Sequence, residues 1–580
     1  MFKLARYLKY FKKEVIIGPL FKLLEAIFEL IVPLVMASII DNGIKNKDTA
    51  YVLQKGGIIL LLGFMGLIFA LICQYCAARA SQGFGTMVRN DLYAHINSLS
   101  HAELDLLGTD TLITVLTNDI NQMQLAVAML IRLVVRAPFL IIGAIVMSMI
   151  LDLKLSVIFL IVAPLVSGVL YLIMEKSVPY YRVRQKMLDK VSLITRENLS
   201  GARVIRAFSK QEHEVERFEK ANDDVADIAI NVGKISAFLN PATFAILNIA
   251  ILVILWFGGI RVDEGSLTQG EVIAFTNYMT QISLALVVVA NLVVIFTKAA
   301  ASASRINKVF EMMPSLKEKE KVMTDMHTDD HKDNGDTDKP FISLDDVFFA
   351  YPGTDKYALE DISFDINKGE VIGIIGGTGS GKSTLINLLP RFYDASKGTV
   401  RINGIPVQDY PINRLRGMFG IVPQKAVLFS GSIADNLRYY KEDATIEEIK
   451  RALEIAQARD FVERLPQGHD TLINQGGRNL SGGQRQRITI ARALVRNPEI
   501  LILDDSFSAL DYVTDANLRQ ALRENCKDTT VIIVSQRANT IKNADKIIVL
   551  DDGKIAGIGK HDELYKSCQV YREICDSQIS

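Results

Sequence analysis

Residues 376–383 read GGTGSGKS, between an apolar run at Val371–Ile375 and a helical run that opens Ser383-Thr384-Leu385. This is G-x-x-x-x-G-K-[ST] in the strand-to-helix setting that gives the spacing its meaning. The run Gly376, Gly377, Thr378, Gly379, Ser380, Gly381 lets successive backbone N–H groups turn inward around an anion. The start of the following helix adds its partial positive charge. Lys382 is expected to reach the β- and γ-phosphates of ATP and Ser383 to hold Mg²⁺, with Thr384 closing the phosphate-binding run.

Two further runs fit the same chemistry. At Leu501–Asp504 an apolar strand ends in an acid, which suits a ligand for Mg²⁺ and its waters beside a phosphate loop. Between the two, Leu480, Ser481, Gly482, Gly483 and Gln484 open a helix that runs to Arg496. A serine and two glycines at a helix start describe a second anion-binding N-terminus. Two phosphate-grasping devices in one chain invite a shared ligand.

The elements that position these residues are of two kinds. From residue 341 onward, short β-rich runs (VIGIIG, ILILDD, VIIVS) alternate with helical segments, the texture of an α/β domain with a parallel sheet. Before residue 300 lie six apolar stretches of bilayer-spanning length, at about 15–40, 57–76, 129–150, 155–174, 241–260 and 272–297. The 175–240 segment is rich in Lys and Arg, which by the positive-inside rule makes it cytoplasmic. With six spans, the N-terminus and everything after residue 300 share that side. The basic, aromatic opening MFKLARYLKYFKK reads as a helix lying on the membrane surface and not as a signal peptide. Residues 313–340 are charged, without apolar periodicity, and read as a solvated linker. The domains are therefore 1–312, membrane-spanning, and 341–580, nucleotide-binding.

Composition agrees with this division. Hydrophobic residues reach 49% while charged ones keep 22%, so the apolar share is concentrated in one half. Lys plus Arg and Asp plus Glu both number 65, which excludes the basic field that would recruit nucleic acid. Five scattered cysteines give neither a disulfide framework nor a zinc pattern, and Cys73 and Cys76 are expected to be small helix-facing residues.

With the phosphate loop and Asp504, the LSGGQ run resembles the signature of the ATP-binding cassette (ABC) superfamily. The likeness, to a bacterial half-exporter of that family, covers nearly the whole chain. It implies an α-helical six-span domain with long cytoplasmic extensions, fused to an α/β phosphate-loop domain. It also implies coupling helices near Leu112–Asn118 and Gly201–Phe208. Tyr351 is similar to the aromatic that stacks on adenine, Gln424 to the glutamine that touches Mg²⁺, and Asp511 to the residue that signals across a dimer. In the family two cassettes stack head to tail, each ATP lying between one chain's phosphate loop and the other's signature.

The chain departs from the family where catalysis occurs. Asp505 stands where a glutamate activates water, and Gln536 where a histidine contacts the γ-phosphate; Gln475 replaces a glutamate common before the signature. A general base must lie within about 3 Å of its proton, so this site is expected to be slow. The expected partner is therefore a different but homologous half-transporter, whose competent site the signature here completes. In the membrane half, Lys22, Glu25 and Glu29 share a helix face. They either meet substrate or pair with one another near the cytoplasmic end. Arg132 and Arg136 pair internally or snorkel toward an interface, while Asn277, Tyr278, Gln281 and Asn291 line a pathway or bond neighbouring helices. Glu25, Glu29, Asn277 and Gln281 are the candidates for a transport pathway. The expected cargo is a small amphipathic compound, with lipid, peptide or thiol-compound export, or an ATP-gated regulatory subunit, as alternatives. The expected location is the bacterial cell membrane.

Overall fold

In a computed structural model, residues 2–316 and 340–578 are described; most of the expected 313–340 linker lies outside them. The chain divides into two compact units, 1–97 with 108–312, and 98–107 with 313–580.

In the first unit, six helical segments are long and apolar enough to cross a membrane: Lys3–Ile44, Thr49–Ser98, Thr109–Leu151, Leu153–Ser200, Gln211–Asp263 and Gln269–Glu311. All six expected stretches fall inside them. Most run past bilayer length, as the helical periodicity of the polar segments demanded. Their core gathers around Phe159, Phe275 and Tyr278, all fully buried.

Proline shapes the first span. Pro33 has no N–H, so the Glu29 carbonyl one turn earlier loses its helical donor. Gln281 Nε2, on the sixth span, donates to that carbonyl at 3.2 Å, and Tyr278 Oη donates to the Leu30 carbonyl at 2.7 Å. The charged residues of this region also pair internally. Lys22 meets Glu25 at 2.6 Å, and Arg136 meets Glu29 at 2.6 Å. Asn277 is exposed and bonds its own helix at Ile273. A further pair ties the third and sixth segments. Asp119, 3% exposed in its side chain, accepts from Arg305 Nε at 2.8 Å and from Ser302 Oγ at 2.9 Å.

Among the described residues the second unit holds twelve strands: β1 (Ile342–Phe349), β2 (Leu359–Ile366), β3 (Val371–Gly376), β4 (Lys397–Ile402), β5 (Ile405–Pro406), β6 (Phe419–Val422), β7 (Gly431–Ser432), β8 (Leu472–Ile473), β9 (Ile500–Asp504), β10 (Thr530–Val534), β11 (Lys546–Asp551) and β12 (Lys554–Gly559). The main sheet runs β12-β11-β3-β10-β9-β6. All its pairs are parallel except β11 with β12. Strands β9 and β10 are buried almost end to end, as a sheet covered on both faces requires. The expected parallel sheet is thus a mixed one, accompanied by an antiparallel sheet β2-β1-β4-β5 and a small β7-β8 pair.

Residues Ser98–Leu107 also belong to this unit. The short helix His101–Leu107 stacks His101 on Phe392, centroids 4.4 Å apart, and Asp105 accepts from Tyr393 Oη at 2.7 Å. The residues expected to form the first coupling helix, Leu112–Asn118, instead lie within the first unit. The second expected coupling segment is a separate short helix, Ala202–Ala207, flanked by long ones, with Val204 and Phe208 exposed.

Candidate nucleotide site

The loop after β3 turns tightly into the helix Lys382–Leu388. Gly381 has φ +95°, and a Cβ there would meet the Leu359 side chain at 2.7 Å and the Ala358 carbonyl at 3.0 Å. Only glycine fits both the backbone and the space. The carboxyl ends of β3, β9 and β10 converge beside this loop, where open α/β sheets bind ligands. There they frame a cavity of about 500 Å³. Tyr351, Thr378, Lys382, Ser383, Thr384, Gln424, Asp504, Asp505 and Gln536 all line it.

Lys382 is 9% exposed and donates to the Gly376 and Gly377 carbonyls at 2.9 and 2.6 Å. Burial lowers its pKa, while Asp504 and Asp505 pull it back up. Its ammonium is therefore held at the mouth of the loop, ready to exchange carbonyl oxygens for phosphate oxygens. Ser383 Oγ donates to Asp504 Oδ2 at 3.1 Å. Burial raises the Asp504 carboxyl above its usual range, the Ser383 hydrogen bond opposes this, and neighbouring Asp505 adds to it. A hydroxyl and a carboxylate this close form an all-oxygen donor set suited to Mg²⁺. Among the described residues Gln424 Nε2 approaches Asp505 Oδ2 at 3.5 Å. Asp505 sits at φ +45°, its N–H bonded to the Val534 carbonyl at 2.9 Å. Asp tolerates that left-handed conformation better than most residues.

Tyr351 is half-buried. Its ring meets Phe349 and Tyr393 edge-on, at 4.9 and 5.5 Å, and its hydroxyl shares a hydrogen bond with Thr384 Oγ1 at 3.0 Å. It is thus pinned beside the phosphate loop with one side facing the cavity. Thr354, Lys356 and Tyr357, from the turn that follows, also line the space. Sequence reasoning singled out only Tyr351; the turn-rich run Pro352-Gly353-Thr354 was the available signal for the others.

The signature residues do not join this cavity. Ser481 caps the helix Gly482–Leu494, its Oγ accepting from Gln484 N–H while Gln484 Oε1 accepts from Ser481 N–H. Ser481 and Gly482 face solvent, and Leu480 is buried behind them. Asp511 likewise caps a helix, Tyr512–Asn525, accepting from Thr514 N–H and Oγ1 at 3.0 and 2.7 Å. Those bonds to Thr514 hold its carboxyl below the usual range. One unit therefore carries a cavity beside the glycine-rich loop and, elsewhere, an exposed helix start.

Comparison with known proteins agrees with this layout. A family described as ABC transporter transmembrane region matches residues 15–305, and one described as ABC transporter matches residues 359–508. An uncharacterized ABC transporter ATP-binding protein, YfiB, of Bacillus subtilis is 38% identical over 579 residues, covering 100% of this chain and 99% of the relative. An uncharacterized ABC transporter ATP-binding protein of Mycobacterium tuberculosis is 35% identical over 578 residues, covering 99% and 97%. An ATP-dependent lipid A-core flippase of Chromobacterium violaceum is 31% identical over 587 residues, covering 100% and 97%. The solved structure of a bacterial Atm1-family ABC exporter with ATP bound shares the fold, with a TM-score of 0.80 at 24% identity over 98% of this chain and 99% of that one.

Proposed function

Because the chain belongs to the ABC exporter family, whose cassette hydrolyses ATP to drive transport, we propose that it is the slow-site half of a heterodimer that extrudes small amphipathic compounds. The observation that carries this reading is the pairing of Asp505 with Gln536 at one cavity, while Ser481–Gln484 remain intact on the surface. A carboxylate one methylene short reaches its water poorly, and an uncharged amide stabilises developing phosphoryl charge less than a histidine does. Both losses fall on the same ATP. Two copies of this chain would form two weakened sites. A partner bringing a glutamate and a histidine would form one competent site, closed by the signature here.

In this reading Lys382 and Ser380 grip the phosphates, and Ser383, Asp504 and Gln424 hold Mg²⁺. Tyr351 faces adenine, and Asp511 relays the state of one site to the other. The Lys- and Arg-rich 175–240 segment supports a cytoplasmic N-terminus and cassette. Lipid is the second reading for the cargo, favoured by the lipid A-core flippase relative. Glu25, Glu29, Asn277 and Gln281 remain the pathway candidates.

The test is steady-state ATP turnover by the purified chain in lipid nanodiscs, alone and co-purified with a homologous half-transporter. Turnover at least about 10-fold lower alone than in the pair is expected; equal turnover would overturn the proposal.

A further inference from the structure

The loop after β10 carries Gln536 to the cavity, and a residue near the end of the chain holds that loop. Gln578 Nε2 donates to the Gln536 carbonyl at 2.7 Å, and Gln578 Oε1 accepts from the Ala538 N–H at 2.9 Å. One partner is a pure acceptor and the other a pure donor, so a single orientation of the amide satisfies both. Ala538 opens the helix Ala538–Ile541, whose start has no side-chain cap; Gln578 supplies the acceptor that such an N-terminus lacks. On the other side of position 536, Ser535 N–H donates to the Ile374 carbonyl at 3.0 Å and Arg537 N–H donates to Ser535 Oγ at 2.9 Å.

The anchor is firm. Gln578 follows the helix Gln569–Asp576, whose Tyr571 and Cys575 are 0% and 5% exposed. Its own N–H donates to the Cys575 carbonyl at 3.1 Å. The strand before the loop is already fixed by β3 and β9. The clamp therefore adds little to the sheet and acts on the few residues that aim the Gln536 side chain.

We propose that Gln578 is a positioning residue for ATP hydrolysis, its amide bridging both sides of the 535–538 loop and so fixing Gln536 toward the γ-phosphate. This rests on the reading of Gln536 given above. Loss of the clamp leaves the peptide between Gln536 and Arg537 held only at its N–H end, by Ser535 Oγ, and small misplacements near reacting groups cost large rate factors.

The test uses the full-length chain in lipid nanodiscs with Mg-ATP. Gln578→Ala is expected to lower kcat on the order of 3- to 10-fold, with KM for ATP within about twofold and the melting temperature unchanged. Gln578→Glu keeps the acceptor for Ala538 but sets a carboxylate oxygen against the Gln536 carbonyl, and is expected to lose at least as much. In a Gln536→Ala background, Gln578→Ala is expected to cause no further loss, because the clamp acts through position 536. Full kcat in both Gln578 variants, an independent loss in the double variant, or a lowered melting temperature with kcat per folded molecule intact would each overturn the inference. A Gln536→Ala variant with undiminished turnover would instead refute the reading of that loop on which the inference stands.

Discussion

Asp504 closes β9 with its carboxylate turned to Ser383, whereas Asp505, one residue on, adopts a left-handed backbone and meets Gln424. Replacing Asp505 with Glu adds the missing methylene, and turnover by the purified chain is expected to rise about 10-fold or more. The left-handed position suits Glu less than Asp, so a loss of up to about 1 kcal/mol in stability should accompany the gain. Phosphate release and thermal melting of the same sample check both. The environment of Asp504 gives a pH dependence. Its raised pKa means that the folded chain holds this proton more tightly than the unfolded chain does. Without metal, the advantage of the protonated form is lost as pH rises through that raised value. Mg²⁺ needs the carboxylate and reverses the sign, so metal-dependent ATP affinity should fall on acidification, beginning above the ordinary Asp value of about 4. Calorimetric titration at several pH values measures it, and a flat profile would contradict it. Much of this site was legible beforehand, because GGTGSGKS fixes its geometry through local spacing alone. Gln578 was not legible: its partners are backbone groups that only tertiary folding brings near the end of the chain.

The long helices are held together by polar contacts at places where regular packing or bonding fails. Pro33 frees a carbonyl and Gln281 takes it. Asp119 is buried and Arg305 half-exposed, its guanidinium reaching back to the carboxylate. Removing Arg305 strands a buried charge, so Arg305→Ala is expected to cost about 3 kcal/mol or more. Asp119→Ala in the same chain should restore part of that loss. Comparing unfolding midpoints of the two single variants and the double variant decides it, and simple addition of the two losses would contradict the buried-charge account. The existence of the six spans was readable from hydropathy, and the Lys22–Glu25 pair was one of the two readings of that helix face, but the Arg136 partner of Glu29 was not. A helix face shows that Glu25 and Glu29 point the same way, not that Glu29 takes a residue of the third span. The antiparallel sheet escaped for a related reason. Register shifts between Leu344, Val347 and Phe349 break the alternation by which a strand is recognised. Periodicity over 112–123 announced a helix without saying which unit it joins, and the segment that joins the cassette lies upstream at Ser98–Leu107.

The Ser481–Gln484 helix start does not line the cavity beside the glycine-rich loop, and under the proposal above a second chain brings such a surface to the nucleotide. Gly483 lies at the exposed helix start, against the Ala509 carbonyl at 3.2 Å for an added Cβ. Gly483→Asp would place a negative charge where another chain's triphosphate is proposed to dock. It should leave Mg-ATP affinity at its own cavity within about threefold, since the sites are separate. Turnover of the assembled pair should drop on the order of 100-fold. Equal loss of both would mean that the signature serves its own chain's nucleotide. The two units are also interleaved in sequence. A cassette cut out at residue 313 would lack the ring that stacks on Phe392 and the carboxylate that accepts from Tyr393. It is expected to melt at least about 2 °C below the same fragment supplied with a peptide spanning 98–107; identical melting would show the insert to be dispensable. During synthesis the consequence is one of timing. Asp105 emerges 288 residues ahead of Tyr393, so at ordinary translation speeds this short helix waits roughly 15 to 60 s for its partners. For that interval a short helix of the cassette, none of whose residues is buried even in the finished unit, stands without the Phe392 and Tyr393 rings it packs on.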